Sequence, residues 1–195
     1  MAFVPIALPG ADVRVDPEWL PTVEAAALFT SLRDAIPWGV HRIRLFGRLV
    51  DSPRLSCWIG DPGTAYSYSG TRFEPQPWPA ALVPVRERLS REAGVDFNSV
   101  LANCYRNGRD YMGWHSDNER ALGQQPVIAS LSLGQARRFV FRERAGSRDK
   151  HDIILTNGAL LLMAGDTQAL YQHALPATAK LVAARINLTF RRIVG

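Results

Sequence analysis

From about residue 98 onward the chain is a succession of short β-type runs cut by turn residues, and no other feature restricts its fold as much. SVLANCYR is followed by the Asn107–Gly108 turn and YMGWH, then by VIASLSLG, RRFVFRER, HDIIL, ALLLMAG, ALYQHAL and LVAARINLTFRRI. Such runs, separated by Gly, Asn and Pro, predict a closed or sandwiched β architecture, and a jelly roll is its natural form. The first half has a different texture. Residues 1–20 are rich in Pro and predict an irregular arm. TVEAAALFTSLRDAI, 22–36, spaces Ala and Leu for one buried helical face, with Thr22 as a candidate cap. Residues 40–59 predict two strands around the turn at Asp51–Pro53, and GTAYSYSG a short aromatic strand or loop. EPQPWP leads into a helix near 80–93, closed by Gly94. Helices first and strands later predict an α+β fold around one rigid β core.

A chain of 195 residues is expected to form one domain with a sizeable core. A hydrophobic fraction of 47% and a charged fraction of 21% argue against disorder. The net charge is +5, and Lys150 and Lys180 are the only lysines among 23 basic residues. This balance favours an acidic partner such as nucleic acid, because the planar guanidinium binds two phosphate oxygens at once. Cys57 and Cys104 stand far apart, which argues against a disulfide framework or a zinc ribbon. MAFVPIALPG has no charged leader and no long apolar run exists, so neither a signal peptide nor a membrane span is expected. The expected setting is intracellular (cytoplasmic in a bacterium, nuclear in a eukaryote), and the expected state monomeric.

Chemistry concentrates in YMGWHSDNER, 111–120. If extended, this stretch points His115, Asp117 and Glu119 the same way, an arrangement costly to bury without a purpose. His115 and Asp117 can reach one ion. The chain has four histidines, and His173, in YQHAL, is a candidate third ligand if the fold brings distant strands together. Two histidines and one carboxylate with open positions suit non-haem Fe(II) oxygenases, although the same set serves hydrolytic zinc sites, usually through an HExxH helix that is absent here. On spacing alone, H-x-D also fits a surface histidine beside a solvated aspartate. RINLTFR, 185–191, alternates strictly: Arg185, Asn187, Thr189 and Arg191 face one way, Ile186, Leu188 and Phe190 the other. Facing outward, the polar side would be a solvated or phosphate-binding stripe. Facing inward, its two guanidiniums need anionic partners, and a small dicarboxylate would satisfy both.

Taken together, NCYRNGRDYMGWHSDNE, PVIASLSLG, RRFVFR, LYQHALP and RINLTFR resemble the AlkB family of Fe(II)- and 2-oxoglutarate-dependent dioxygenases, over about residues 41–193. The resemblance implies a double-stranded β-helix (jelly-roll) core at about 98–195, preceded at about 1–97 by N-terminal helices and a nucleotide-recognition lid. It implies that His115, Asp117 and His173 bind iron, with 2-oxoglutarate and O2 taking the remaining positions. Arg185 would pair with the distal carboxylate of the cosubstrate, helped by Asn103 and Tyr105. Arg191 would lie near the carboxylate bound to iron, with Asn187 supporting it.

The same resemblance implies oxidative demethylation of N-alkylated bases such as 1-methyladenine and 3-methylcytosine in DNA, releasing formaldehyde, succinate and CO2. RNA, a protein or a small molecule is the alternative substrate. A target base would have to be flipped from its stack. Tyr66, Tyr68 and Ser69 match the lid over the base, Trp58 lies close in sequence, and Glu119 matches a carboxylate that reads the base edge. Phe46 in RLFGR resembles the wedge of the branch acting on double-stranded DNA. Packing roles for the two tyrosines and for Phe46 remain open. Arg137, Arg138, Arg142, Arg144 and Arg148 are candidates for phosphate contact, or a solvated hairpin. Asn118 stands where related members often carry Asp.

Overall fold

In the computed structural model, residues 3–45, 48–64, 66–68, 71–146 and 149–194 are described, with backbone alone at 43–45, 48–49, 66–68 and 71–73. Val4–Pro5 (β1) and Asp12–Asp16 (β2) pair ahead of helix α1, Thr22–Ala35. Arg42–Leu45 (β3) pairs with Arg48–Asp51 (β4); Leu55–Gly60 (β5) follows. Tyr66–Tyr68 (β6) pairs with Thr71–Phe73 (β7), and a 3-10 turn, Ala80–Leu82, runs into α2, Val83–Ala93. Then come Ser99–Tyr105 (β8), Met112–His115 (β9), Ile128–Gly134 (β10), Arg137–Glu143 (β11), Lys150–Leu155 (β12) and Leu160–Ala164 (β13). A one-turn helix, Thr167–Leu170 (α3), precedes Tyr171–Leu175 (β14), and Arg185–Arg191 (β15) is the last strand.

A seven-stranded antiparallel sheet, β1-β2-β13-β10-β15-β8-β5, opposes a four-stranded one, β12-β11-β14-β9. Together they form the jelly-roll core. The larger sheet is buried on both faces. Ile186, Leu188 and Phe190 pack with Leu32 of α1 and Leu89 of α2, while Ile128, Leu161 and Met163 pack with Phe139, Phe141 and Leu175 of the smaller sheet. The alternation of RINLTFR is therefore answered twice: its apolar side meets the helices and its polar side the space between the sheets. All seven of its residues are buried.

The structure departs from expectation in four places. Residues 12–16 are not irregular, since β2 extends the large sheet against β13, with Val13 opposite Met163 and Val15 opposite Leu161. Prolines at 5, 9 and 17 obscure this five-residue alternation. Thr22 is the first helical residue of α1 rather than its cap; Pro21 precedes it and no side chain caps the helix. Residues 40–59 hold three strands, the turn at 51–53 joining β4 to β5. Finally, β5 pairs along β8, so the large sheet draws strands from both sides of residue 97. The closure of α2 is as read: Gly94 has φ 65°, a left-handed conformation that glycine adopts without penalty. Among the described residues, no helix is long and apolar enough to cross a membrane.

Candidate metal and cosubstrate site

β9 and β14 pair so that His115 lies opposite His173, through an irregularity in register. Their ring centroids are 4.3 Å apart. The strand stops at His115, and Asp117 joins from the irregular segment behind it, so the three residues meet without the extended face that spacing suggested. One ligand atom from each of His115, Asp117 and His173 lies within 4.8 Å of the others. The Nδ1 of His115 is 2.9 Å from the Gly113 carbonyl. A carbonyl can only accept, so Nδ1 carries the proton and Nε2 keeps its lone pair for a metal. His173 stacks on Phe139 at 5.4 Å and meets Phe141 edge-on. Asp117 Oδ1 accepts from Arg191 Nη2 at 2.6 Å, and Oδ2 lies 3.8 Å from His173 Nε2.

Burial lowers the pKa of His115, with Arg191 and Arg54 acting in the same direction against the opposing pull of Asp117. Burial, then the neighbouring His115, bring His173 down to about 3. For Asp117 burial acts upward, but Arg191 and the two histidines outweigh it and hold the carboxyl below its ordinary value. Near neutral pH the trio is two neutral imidazoles and one carboxylate. That donor set suits a divalent first-row metal ion, since each ligand presents a lone pair that no proton occupies.

Arg185, Asn187 and Arg191 lie opposite Tyr105, Asn103 and Ser99 of β8. Arg185 is 1% exposed, yet its only hydrogen bond to a described residue runs from Nη2 to Ser132 Oγ, 2.8 Å. Its guanidinium carbon is 5.4 Å from the centroid of the Tyr105 ring, while Nε and Nη1 have no partner among the described residues. Burial pulls its pKa to about 10, which still leaves it charged. A buried guanidinium with two unanswered N–H donors fits a carboxylate, whose paired oxygens accept such a fork. Asn187 Nδ2 donates to Ser130 Oγ at 2.8 Å and to the Leu131 carbonyl at 3.2 Å. Asn103, Tyr105 and Asn187 line the same cavity as the metal trio.

Sequence reasoning missed Arg54, which is buried and donates from Nε to Asn103 Oδ1 at 2.7 Å. It also missed Gln168, whose Oε1 accepts the Asp117 backbone N–H at 2.8 Å. Neither lies in a local pattern; their roles come from the pairing of β5 with β8 and from the approach of α3 to Asp117.

The substrate-side residues divide. Glu119 is half-buried, and its Oε2 has no hydrogen-bond partner among the described residues. Trp58 does not line the metal cavity: it is 2% exposed, and Nε1 donates to the Thr64 carbonyl at 2.8 Å, bracing the chain that leads into β6. Tyr66 and Tyr68 lie in β6, but their side chains are outside the described residues, as are Phe46, Ser69 and Arg148. Arg137 is no phosphate ligand. It is buried, and donates to the carbonyls of Asn107, Asp110 and Pro176 at 3.2, 3.1 and 2.8 Å. Exposed Arg138 pairs with Asp152 at 2.7 Å, and Arg142 lies 4.3 Å over the ring of Trp114. Cys57 and Cys104 are buried free thiols, Cys57 pushed up to about 11 by burial.

Comparison with known proteins places this geometry. Residues 12–191 match the 2OG-Fe(II) oxygenase superfamily. The DNA oxidative demethylase ALKBH2 of Bos taurus is 38% identical over 88% of this chain and 65% of its own length. The human ALKBH2 is 37% identical, with 69% of its length covered. The alpha-ketoglutarate-dependent dioxygenase alkB homolog 3 of Bos taurus is 37% identical over 91% of this chain and 64% of its own. The chain thus spans about two thirds of the length of these relatives. The solved structure of OsALKBH1 superposes with a TM-score of 0.64 at 17% identity, covering 98% of this chain and 100% of that one, and so shares the fold. The chain belongs to the AlkB family of Fe(II)- and 2-oxoglutarate-dependent oxygenases.

Proposed function

We propose that this protein is a dioxygenase that removes N-methyl groups from alkylated bases in DNA. The observation that carries it is the meeting of His115, Asp117 and His173 in one cavity with Asn187 and Arg191 of a polar strand whose buried Arg185 has two donors unanswered among the described residues. Relatives that cover most of this chain bear the name DNA oxidative demethylase. The net charge of +5 suits a polyanionic substrate.

Bound Fe(II) with 2-oxoglutarate and O2 supplies hydroxylation of the methyl carbon, the cosubstrate leaving as succinate and CO2 and the hemiaminal collapsing to the repaired base and formaldehyde. His115, Asp117 and His173 would hold the metal. Arg191 holds Asp117 in place through a buried charged hydrogen bond. Arg185, beside Tyr105 and Asn103, would receive the distal carboxylate, and Asn187 supports that wall through Ser130. On the substrate side, 1-methyladenine and 3-methylcytosine carry positive charge and an exocyclic amine. A buried carboxylate oxygen on Glu119 with no partner among the described residues suits both features. Tyr66, Tyr68 and Ser69 would cover the flipped base, and Phe46 would fill the gap it leaves.

The test is succinate formation by iron-loaded protein with and without oligonucleotide, comparing methylated single-stranded DNA, duplex DNA and RNA. Stimulation by methylated DNA alone is the expected result. Turnover stimulated equally by unmethylated strands, or greater on RNA, would overturn the DNA assignment.

A further inference from the structure

The carboxylate of the metal trio stands on a segment with no regular hydrogen bonding, because β9 ends at His115 and residues 116–119 lie in no strand or helix. Its position depends on individual anchors. Ser116 Oγ donates to the Tyr171 carbonyl at 2.7 Å, Arg191 holds the Asp117 carboxylate, and the Asp117 backbone N–H donates to Gln168 Oε1 at 2.8 Å. Gln168 is 2% exposed. It sits on α3, directly ahead of the strand that carries His173. The backbone N–H can only donate, so the amide must turn its oxygen to Asp117; its nitrogen then faces Met163 Sδ at 3.6 Å. Met163 itself lines the cavity. One side chain thus ties the segment bearing one ligand to the element bearing another. An apolar side chain of the same length would fill the space but leave the Asp117 N–H buried and unanswered.

We infer that Gln168 is a positioning residue of the metal site: its Oε1 fixes where Asp117 stands relative to His173, without touching metal or substrate. Gln168 has this role only if His115, Asp117 and His173 hold a metal, as proposed above.

The test is Mn(II) titration of the metal-free 195-residue chain, read by calorimetry, with a thermal melt of each variant. Gln168→Met keeps the length and removes the acceptor. Gln168→Asn keeps a buried amide but withdraws it by one methylene, so a folding failure of the first variant leaves the second to carry the comparison. Gln168→Glu keeps the acceptor. Both Gln168→Met and Gln168→Asn are expected to weaken Mn(II) binding by about 10–100-fold, with Gln168→Glu within about threefold of wild type. A merely structural role would instead make affinity follow melting temperature in all three. Wild-type affinity in Gln168→Asn, or a loss in Gln168→Glu as large as in Gln168→Met, overturns the inference. If wild type does not bind Mn(II), or Asp117→Ala binds it unchanged, the metal site itself fails instead.

Discussion

Replacing Arg185 by methionine should leave the protein folded without ligand while removing most of its response to cosubstrate. Among the described residues Arg185 makes one hydrogen bond, to Ser132 Oγ, and a ring contact with Tyr105. Losing them costs about 2–5 kcal/mol, taking a charged hydrogen bond and a buried cation–π contact together. Against this, the variant no longer buries Nε and Nη1, which have no partner among the described residues. Each such donor costs about 1–3 kcal/mol, and methionine fills much of the same space. The two sides nearly cancel, so the ligand-free melting temperature should move little or rise. With Mn(II) and 2-oxoglutarate at about 100 times the dissociation constant, wild type should gain about 2.7 kcal/mol, or about 5–11 °C for a chain of this size. Loss of a buried charge-assisted contact costs about 2–5 kcal/mol of binding, which raises the dissociation constant about 30- to 5,000-fold and leaves the variant a gain of at most about 0.9 kcal/mol, or under about 4 °C. Differential scanning fluorimetry with and without cosubstrate measures both. A variant that unfolds without ligand would make Arg185 a satisfied structural cation, and one that keeps the full shift would place the carboxylate seat elsewhere.

Asp117→Ala should abolish succinate formation and Mn(II) binding; retained turnover would remove Asp117 from the metal shell. It should also destabilise the chain by about 3–5 kcal/mol, because Arg191 then keeps a buried charge without its carboxylate, and urea unfolding measures this. The metal-free protein should lose stability as pH falls below about 6.5, where the unfolded chain protonates His115 and His173 while the folded chain does not. The unfolded state then binds more protons, so stability rises with pH, by up to about 1.4 kcal/mol per unit for each histidine, and His173 continues to contribute down to about 3. Urea midpoints in chelator that stay flat between pH 7.5 and 5 would contradict this. Phe46→Ala should reduce demethylation of duplex DNA more than of single strands; equal losses would remove the wedge role.

The part of this site that the sequence disclosed is the part built by alternation. RINLTFR announces two faces because a strand has a period of two, and both faces were found where the chemistry requires them. His173 stood out because histidines are few, and its pairing opposite His115 follows once β14 and β9 are neighbours. What stayed hidden depends on contacts between elements far apart in the chain. Arg54 reads as part of a turn until β5 is laid along β8, with Ser56 opposite Asn103. Gln168 has no local pattern at all, and the strand at Asp12–Asp16 is too short to stand out among prolines. The expected division at residue 97 dissolves for the same reason, since register crosses it.

The two arginines of β15 then differ in a way that no sequence pattern could show. They leave the same strand on the same face, both buried, but Arg191 has a carboxylate at 2.6 Å and Arg185 only a hydroxyl at 2.8 Å. Arg191 is thus matched by the residue that would also bind the metal, so its charge is tied to the carboxylate's position. Arg185 is as deeply buried, without an anion among the described residues. A fold has little reason to keep such a cation for stability, because a well-packed apolar side chain would serve at least as well. Its presence is accounted for by an acidic ligand that brings its own charge, and this inequality between two otherwise equivalent guanidiniums is the strongest physical reason to place the cosubstrate's distal carboxylate at Arg185.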